Sequence, residues 1–146
     1  MRVTILLADA AQAVRGKLYI LGGGWSIIGP QPTPMAIAIK IEVPWTEANT
    51  VHQLKLSLLD QDGRPVMKPA QEDKGPIELT ANFEVGRPPG LQPGTPLDVP
   101  LAINIAPLPL QPGQRYTWRC YIDDETEDDW RVSFSTRSSP PTSSTS

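Results

Sequence analysis

The chain has 146 residues, a formal net charge of −3, one histidine, one cysteine, 17 prolines and 11 glycines. That length can bury a core of its own without disulfides. The acidic balance argues against a nucleic-acid partner, because phosphate binding calls for a basic face, and a single His with a single Cys cannot supply the usual zinc sets.

Met1-Arg2 followed by Val3-Thr4-Ile5-Leu6-Leu7-Ala8 has the outline of a signal peptide, but Asp9 interrupts it. The apolar run spans about six residues where such cores need roughly 7–15, so the chain is expected not to be secreted. No stretch approaches the ~20 apolar residues of a membrane span. Val3, Ile5 and Leu7 read instead as a first strand, and Leu18-Tyr19-Ile20-Leu21 as a second. Gly22-Gly23-Gly24 then interrupts the chain before Trp25. With no Lys-Ser/Thr pair to close a phosphate loop, the glycines predict a bulge or a close backbone crossing.

Gly29-Pro30-Gln31-Pro32-Thr33-Pro34 has lost most of its backbone donors and must be a loop or rim. Met35, Ile37, Ile39, Ile41 and Val43 follow as the inward face of the clearest strand, with Ala36, Ala38, Lys40 and Glu42 outward. Pro44-Trp45 ends it, and one helical turn is placed within Thr46 to Thr50. His52, Leu54, Leu56 and Leu58 mark the next strand, Pro65-Val66-Met67 a short one after the Asp60-Gln61-Asp62-Gly63 turn, and Ile77 to Val85 another. After the proline-rich Gly86 to Pro96, Val99, Leu101, Ile103 and Ile105 alternate once more.

The last hairpin alternates most strictly. Tyr116, Trp118, Cys120 and Ile122 share one face, and Trp130, Val132 and Phe134 share one face of the partner strand. Pro112-Gly113 a few residues before Tyr116 resembles the tyrosine corner of immunoglobulin-like folds, in which the Tyr hydroxyl bonds back to upstream backbone. The expected fold is therefore all-β, an immunoglobulin-like Greek-key β-sandwich of eight or nine antiparallel strands over residues 1–137. Ser138 to Ser146, low in complexity and without apolar residues, is expected to be a flexible tail.

Asp123-Asp124-Glu125-Thr126-Glu127-Asp128-Asp129 carries six carboxylates in seven residues. Such a loop offers hard oxygen ligands for calcium, but it lacks the EF-hand order and its central Gly, and the simpler reading is a solvated hairpin tip. Asp60-Gln61-Asp62-Gly63 is an ordinary turn, lacking the later Glu of a calcium loop. No Gly-x-Ser-x-Gly elbow is present, any Ser-His-Asp arrangement would rest on His52 alone, and no catalytic or cofactor-binding residue is assigned. Cys120, beside Trp118 on the apolar face, reads as a buried thiol. Trp25 and Trp45 adjoin loops and are candidate interface anchors, or else cap the ends of the sandwich.

Leu6-Leu7-Ala8-Asp9-Ala10-Ala11-Gln12, Gly16-Lys17-Leu18-Tyr19-Ile20-Leu21-Gly22-Gly23-Gly24-Trp25-Ser26, Pro34-Met35-Ala36-Ile37-Ala38 and Glu42-Val43-Pro44-Trp45 resemble an uncharacterised family of small β-rich proteins from actinobacteria and their tailed phages. The resemblance covers about residues 3 to 66. It implies no catalytic residue and no cofactor, and it sets the chain in a virion or a bacterial cytoplasm. The expectation is a non-enzymatic binder of protein (capsid, tail or a second copy of itself), with a cytoplasmic domain that binds calcium or a small ligand through its loops as the alternative.

Overall fold

The computed structural model describes residues 1–69 and 75–139, so part of the charged loop and nearly all of the expected flexible tail, residues 140–146, lie outside the described residues. The described chain is all-β, in two sheets. One sheet contains β1 (Arg2–Val14), β2 (Lys17–Gly23), β4 (Met35–Val43) and β7 (Leu97–Ile105) in the order β2-β1-β4-β7. The other contains β3 (Ile27–Ile28), β5 (His52–Leu59), β6 (Glu78–Phe83), β8 (Arg115–Ile122) and β9 (Arg131–Thr136) in the order β3-β9-β8-β5-β6.

The inner faces of both sheets feed one hydrophobic cluster. Met35, Ile37, Ile39, Ile41 and Val43 of β4 meet Leu54, Leu56 and Leu58 of β5 and Trp118, Cys120 and Phe134 of the last hairpin, all almost fully buried. The two-residue alternation thus does what pleated geometry requires, sending every second side chain into the core. Removing a side chain the size of Trp118 or Phe134 from such packing costs about 3–5 kcal/mol.

The tyrosine corner is built as expected. The Gln111 backbone N–H donates to the Tyr116 hydroxyl at 2.9 Å. Tyr116 itself is buried and stacks on Phe134 at 5.7 Å between ring centroids.

Three expectations are corrected. The strands are not all antiparallel, because β3 runs parallel to β9, pairing Ile27 with Ser135 and Ile28 with Thr136. The connector after Trp25 makes this possible by bringing Ser26 and Ile28 carbonyls to the Ser135 and Arg137 N–H groups, each at 2.8–2.9 Å. Pro65 to Met67 contributes only single bridges, Leu59 to Pro65 and Met67 to Pro76, because Pro65 has no N–H to extend a ladder. The helical turn begins earlier than expected, at Trp45–Glu47.

β1 is also longer than its apolar pattern. Its ladder with β4 stops at Ala8 opposite Ala36, after which β1 continues with β2 alone as a projecting hairpin arm. Arg15 (φ 52°) and Gly16 (φ 76°) form the tip, a two-residue turn of the type that matches strand twist. The arm folds across β4 towards β7. There the Asn104 side chain imitates a strand neighbour, accepting from the Ala11 N–H at 3.2 Å and donating to the Ala11 carbonyl at 2.8 Å. Beneath it Ala8, Ala11, Ala36 and Ala38 form a second buried cluster with Leu18 and Ala102 packed against it. Alanine is what permits so close an approach. The outward residues Ala36 and Ala38 are accordingly buried.

Gly22 lies at the base of this arm, near the end of β2. With φ 59° it adopts a backbone that favours glycine. A Cβ there would also lie 2.2 Å from Asp9 Oδ2, so the Asp9 carboxylate occupies the space over Gly22.

Candidate functional site

The two tryptophans proposed as anchors are both half-buried and packed against the core. Trp25 meets Phe134 edge-on at 6.3 Å, and its indole N–H is buried without a partner among the described residues. Trp45 borders a cleft of about 540 Å³ that it shares with Arg2, Glu42, Pro44 and Pro96. Its ring lies 4.9 Å beneath the Arg87 guanidinium, which also donates to the Trp45 carbonyl at 2.8 and 3.2 Å. Trp45 therefore pins the Gly86–Pro96 loop to the body while keeping one edge in the cleft.

The acidic run is a solvent-exposed turn, all six carboxylate residues exposed, with a defined backbone. Asp123 (φ 51°) and Asp124 (φ 66°) both take the left-handed conformation, to which Asp is better suited than most side chains. They close a tight turn in which Ile122 and Glu125 exchange both backbone hydrogen bonds at 2.8 and 3.0 Å. The Thr126 hydroxyl donates to the Cys120 carbonyl at 2.7 Å and ties the return path down. Asp128 approaches Arg119 at 3.8 Å on the surface, where such a pair contributes little. Of the six carboxylates Asp123, itself half-exposed, bonds to His52, and among the described residues no three His, Cys, Asp or Glu groups converge on one point.

His52 is buried and stacks on Phe83 at 5.3 Å. Its Nδ1 bonds to Asp123 Oδ2 at 2.7 Å and its Nε2 to the Glu47 carbonyl at 3.0 Å. Both partners are acceptors, so the doubly protonated ring satisfies both. Burial opposes that charge, but the Asp123 and Glu47 hydrogen bonds more than offset it and raise the pKa above the ordinary 6.5. The same bond, with a second from the Gln53 N–H, holds the Asp123 carboxyl below its ordinary value. His52 thus fastens β5, the Trp45–Glu47 turn and the acidic turn to one another. Cys120, fully buried, has its thiol pushed up to about 12 by desolvation.

The surface that stands out was not singled out from sequence. Tyr19 is 56 % exposed and Leu21 71 %, and Val14 and Ile20 beside them are also open to solvent. They lie on the arm, Val14 at the end of β1 and the others on β2, which pairs with β1 on one side and with no other strand among the described residues. A short run with apolar residues of both parities reads as a strand covered on both faces. Only the sheet order shows that Leu18–Leu21 is an uncovered edge.

An all-β chain of two sheets, a pinned tyrosine corner and an exposed apolar arm is the class these observations define. The profile of the family of unknown function DUF6941 matches residues 3–134, and the chain belongs to that family. The match extends well past the first half that carried the resemblance. Neither the curated proteins nor the solved structures contain a match to the chain. No helix among the described residues is long and apolar enough to cross a membrane.

Proposed function

We propose that the chain is a non-enzymatic, protein-binding β-sandwich of immunoglobulin-like Greek-key type, spanning residues 1–137, that serves as an accessory structural subunit of a phage particle. Capsid decoration or tail association is the role, and the virion, or the bacterial cytoplasm before assembly, is the location. The observation that carries binding is the arm, which leaves Tyr19 and Leu21 in solvent on an open strand. Exposed apolar side chains along an unpaired edge are a template for another chain. The Tyr116 corner supports the immunoglobulin-like reading, and the actinobacterial and phage resemblance of the first half supports the particle.

The test is gradient sedimentation of the purified protein with intact tailed-phage particles of an actinobacterial host, with capsids and tails run separately. Co-sedimentation with one of them, lost in Leu21→Lys, is the expected result. Protein that stays at the top of every gradient overturns the particle assignment.

A further inference from the structure

From the edge of β2 we infer that the arm binds a second copy of this chain, β2 pairing antiparallel with β2 about a twofold axis at Tyr19. The inference rests on the protein-binding reading above and names the partner.

Three other sheet edges are each protected in a recognised way. β7 carries Asp98 and Pro100, β6 points Glu78, Thr80 and Asn82 outward, and β3 has two residues. β2 carries a charge only at its first residue, Lys17. Between Lys17 and Gly22 it runs Leu18-Tyr19-Ile20-Leu21, without charge, proline or bulge.

The register follows from the hairpin. Its two-residue turn makes Val14 and Lys17 the closing hydrogen-bonded pair, with Gln12–Tyr19 and Ala10–Leu21 next in alternation. Leu18 and Ile20 therefore aim their N–H and C=O groups at the open edge. The same alternation turns the Ala11 backbone away from β2, which is where Asn104 meets it. Setting Leu18 of one copy against Ile20 of the other, and the reverse, uses all four open groups on each strand in two complete hydrogen-bonded pairs. Tyr19 then faces Tyr19 across the axis in the closer, non-hydrogen-bonded position.

Charge selects this partner. In that register Gly16 of one copy lies opposite Gly22 of the other. The Asp9 carboxylate fills the space over Gly22, so it faces the turn between Arg15 and Lys17 of the second copy. None of Asp9, Arg15 and Lys17 has an ion-pair partner among the described residues of its own chain. The twofold axis repeats the contact at both ends. Lys17 also falls opposite Leu21, the most exposed apolar side chain of the arm, and can lay its aliphatic stem across it.

Disulfide trapping tests the register. In Tyr19→Cys the new thiols sit in a non-hydrogen-bonded pair with Cα atoms about 4.5 Å apart, within disulfide range. Leu21→Cys places its thiols at opposite ends of the pairing, and Cys120 is buried in both variants. Under mild oxidation Tyr19→Cys is expected to form a covalent dimer at least about tenfold faster than Leu21→Cys. Equal rates overturn the pairing. In sedimentation velocity the wild-type protein is expected to show a concentration-dependent dimer that Ile20→Pro abolishes, since proline removes an edge N–H and no bond to β1. A dimer unchanged by Ile20→Pro, or a wild type that is monomeric at every concentration, also overturns it. If Ile20→Pro loses its fold by circular dichroism, the two cysteine variants decide. A monomer that still co-sediments with particles sinks self-pairing and leaves the protein-binding reading intact, whereas a dimer that meets no particle does the opposite.

Discussion

His52 and Asp123, 71 positions apart in sequence, meet at 2.7 Å and fasten a core strand to the acidic turn. The signs of their shifts set a pH window. His52 has its pKa raised on folding, so its contribution is complete below the unfolded value near 6.5 and fades as pH rises through the folded one. Asp123 has its pKa lowered, so its contribution is present above the unfolded value near 3.8 and fades as pH falls through the folded one. Stability from this pair is therefore greatest between those two unfolded values. Thermal melts run from about pH 4 to about pH 9, a span that brackets the ordinary histidine range, should show the wild-type melting temperature falling on the alkaline side. Asp123→Asn should flatten that slope. An unchanged slope would mean that the pair does not titrate with folding.

Tyr116→Phe removes only the oxygen that receives the Gln111 N–H. The ring stacking on Phe134 stays, so the loss is that of one part-buried hydrogen bond, about 1–3 kcal/mol. Urea unfolding should show a lower midpoint with the same slope, as expected when stability changes without a change in buried surface.

Asn104→Ala cuts both bonds to the Ala11 backbone. Amide exchange should accelerate at Ala11 and in the rest of the arm, while amides of β4 and β5 keep their protection. Acceleration spread evenly over the whole chain would show that the arm is not a separate opening unit.

Gly22→Ala should destabilise by roughly 1–2 kcal/mol or more, because the new Cβ meets Asp9 and the backbone is left-handed. Asp9→Ala in the same chain should recover the steric part and not the conformational part. Chemical denaturation of the two single variants and the double variant separates them.

Legibility from sequence followed side-chain periodicity. β4, β5 and the last hairpin announced themselves because large apolar residues alternate there with polar ones, and the corner before Tyr116 was read from its turn and its aromatic. The outer half of β1 was not legible. Ala10-Ala11-Gln12-Ala13 has no period to detect, and the burial of Ala11 comes from packing with Ala36 and Ala38. The parallel pairing of β3 with β9 joins segments more than 100 residues apart through backbone groups alone, which leaves no mark on side-chain pattern. Trp25 and Trp45 drew attention by type and position, yet an aromatic ring in sequence does not tell whether Phe134 or Arg87 already covers it. The open edge of β2 was hidden for the converse reason. Its residues look like core residues.

Cys120 lies at the centre of its sheet, between β5 and the final strand, with no solvent exposure and a thiol that burial pushes up to about 12. Being the sole cysteine, it makes the unmodified chain a stopwatch for its own unfolding. A thiol reagent can reach it only when the sheet parts, so the rate of labelling counts openings of the central strands, and fraying of the arm passes unrecorded.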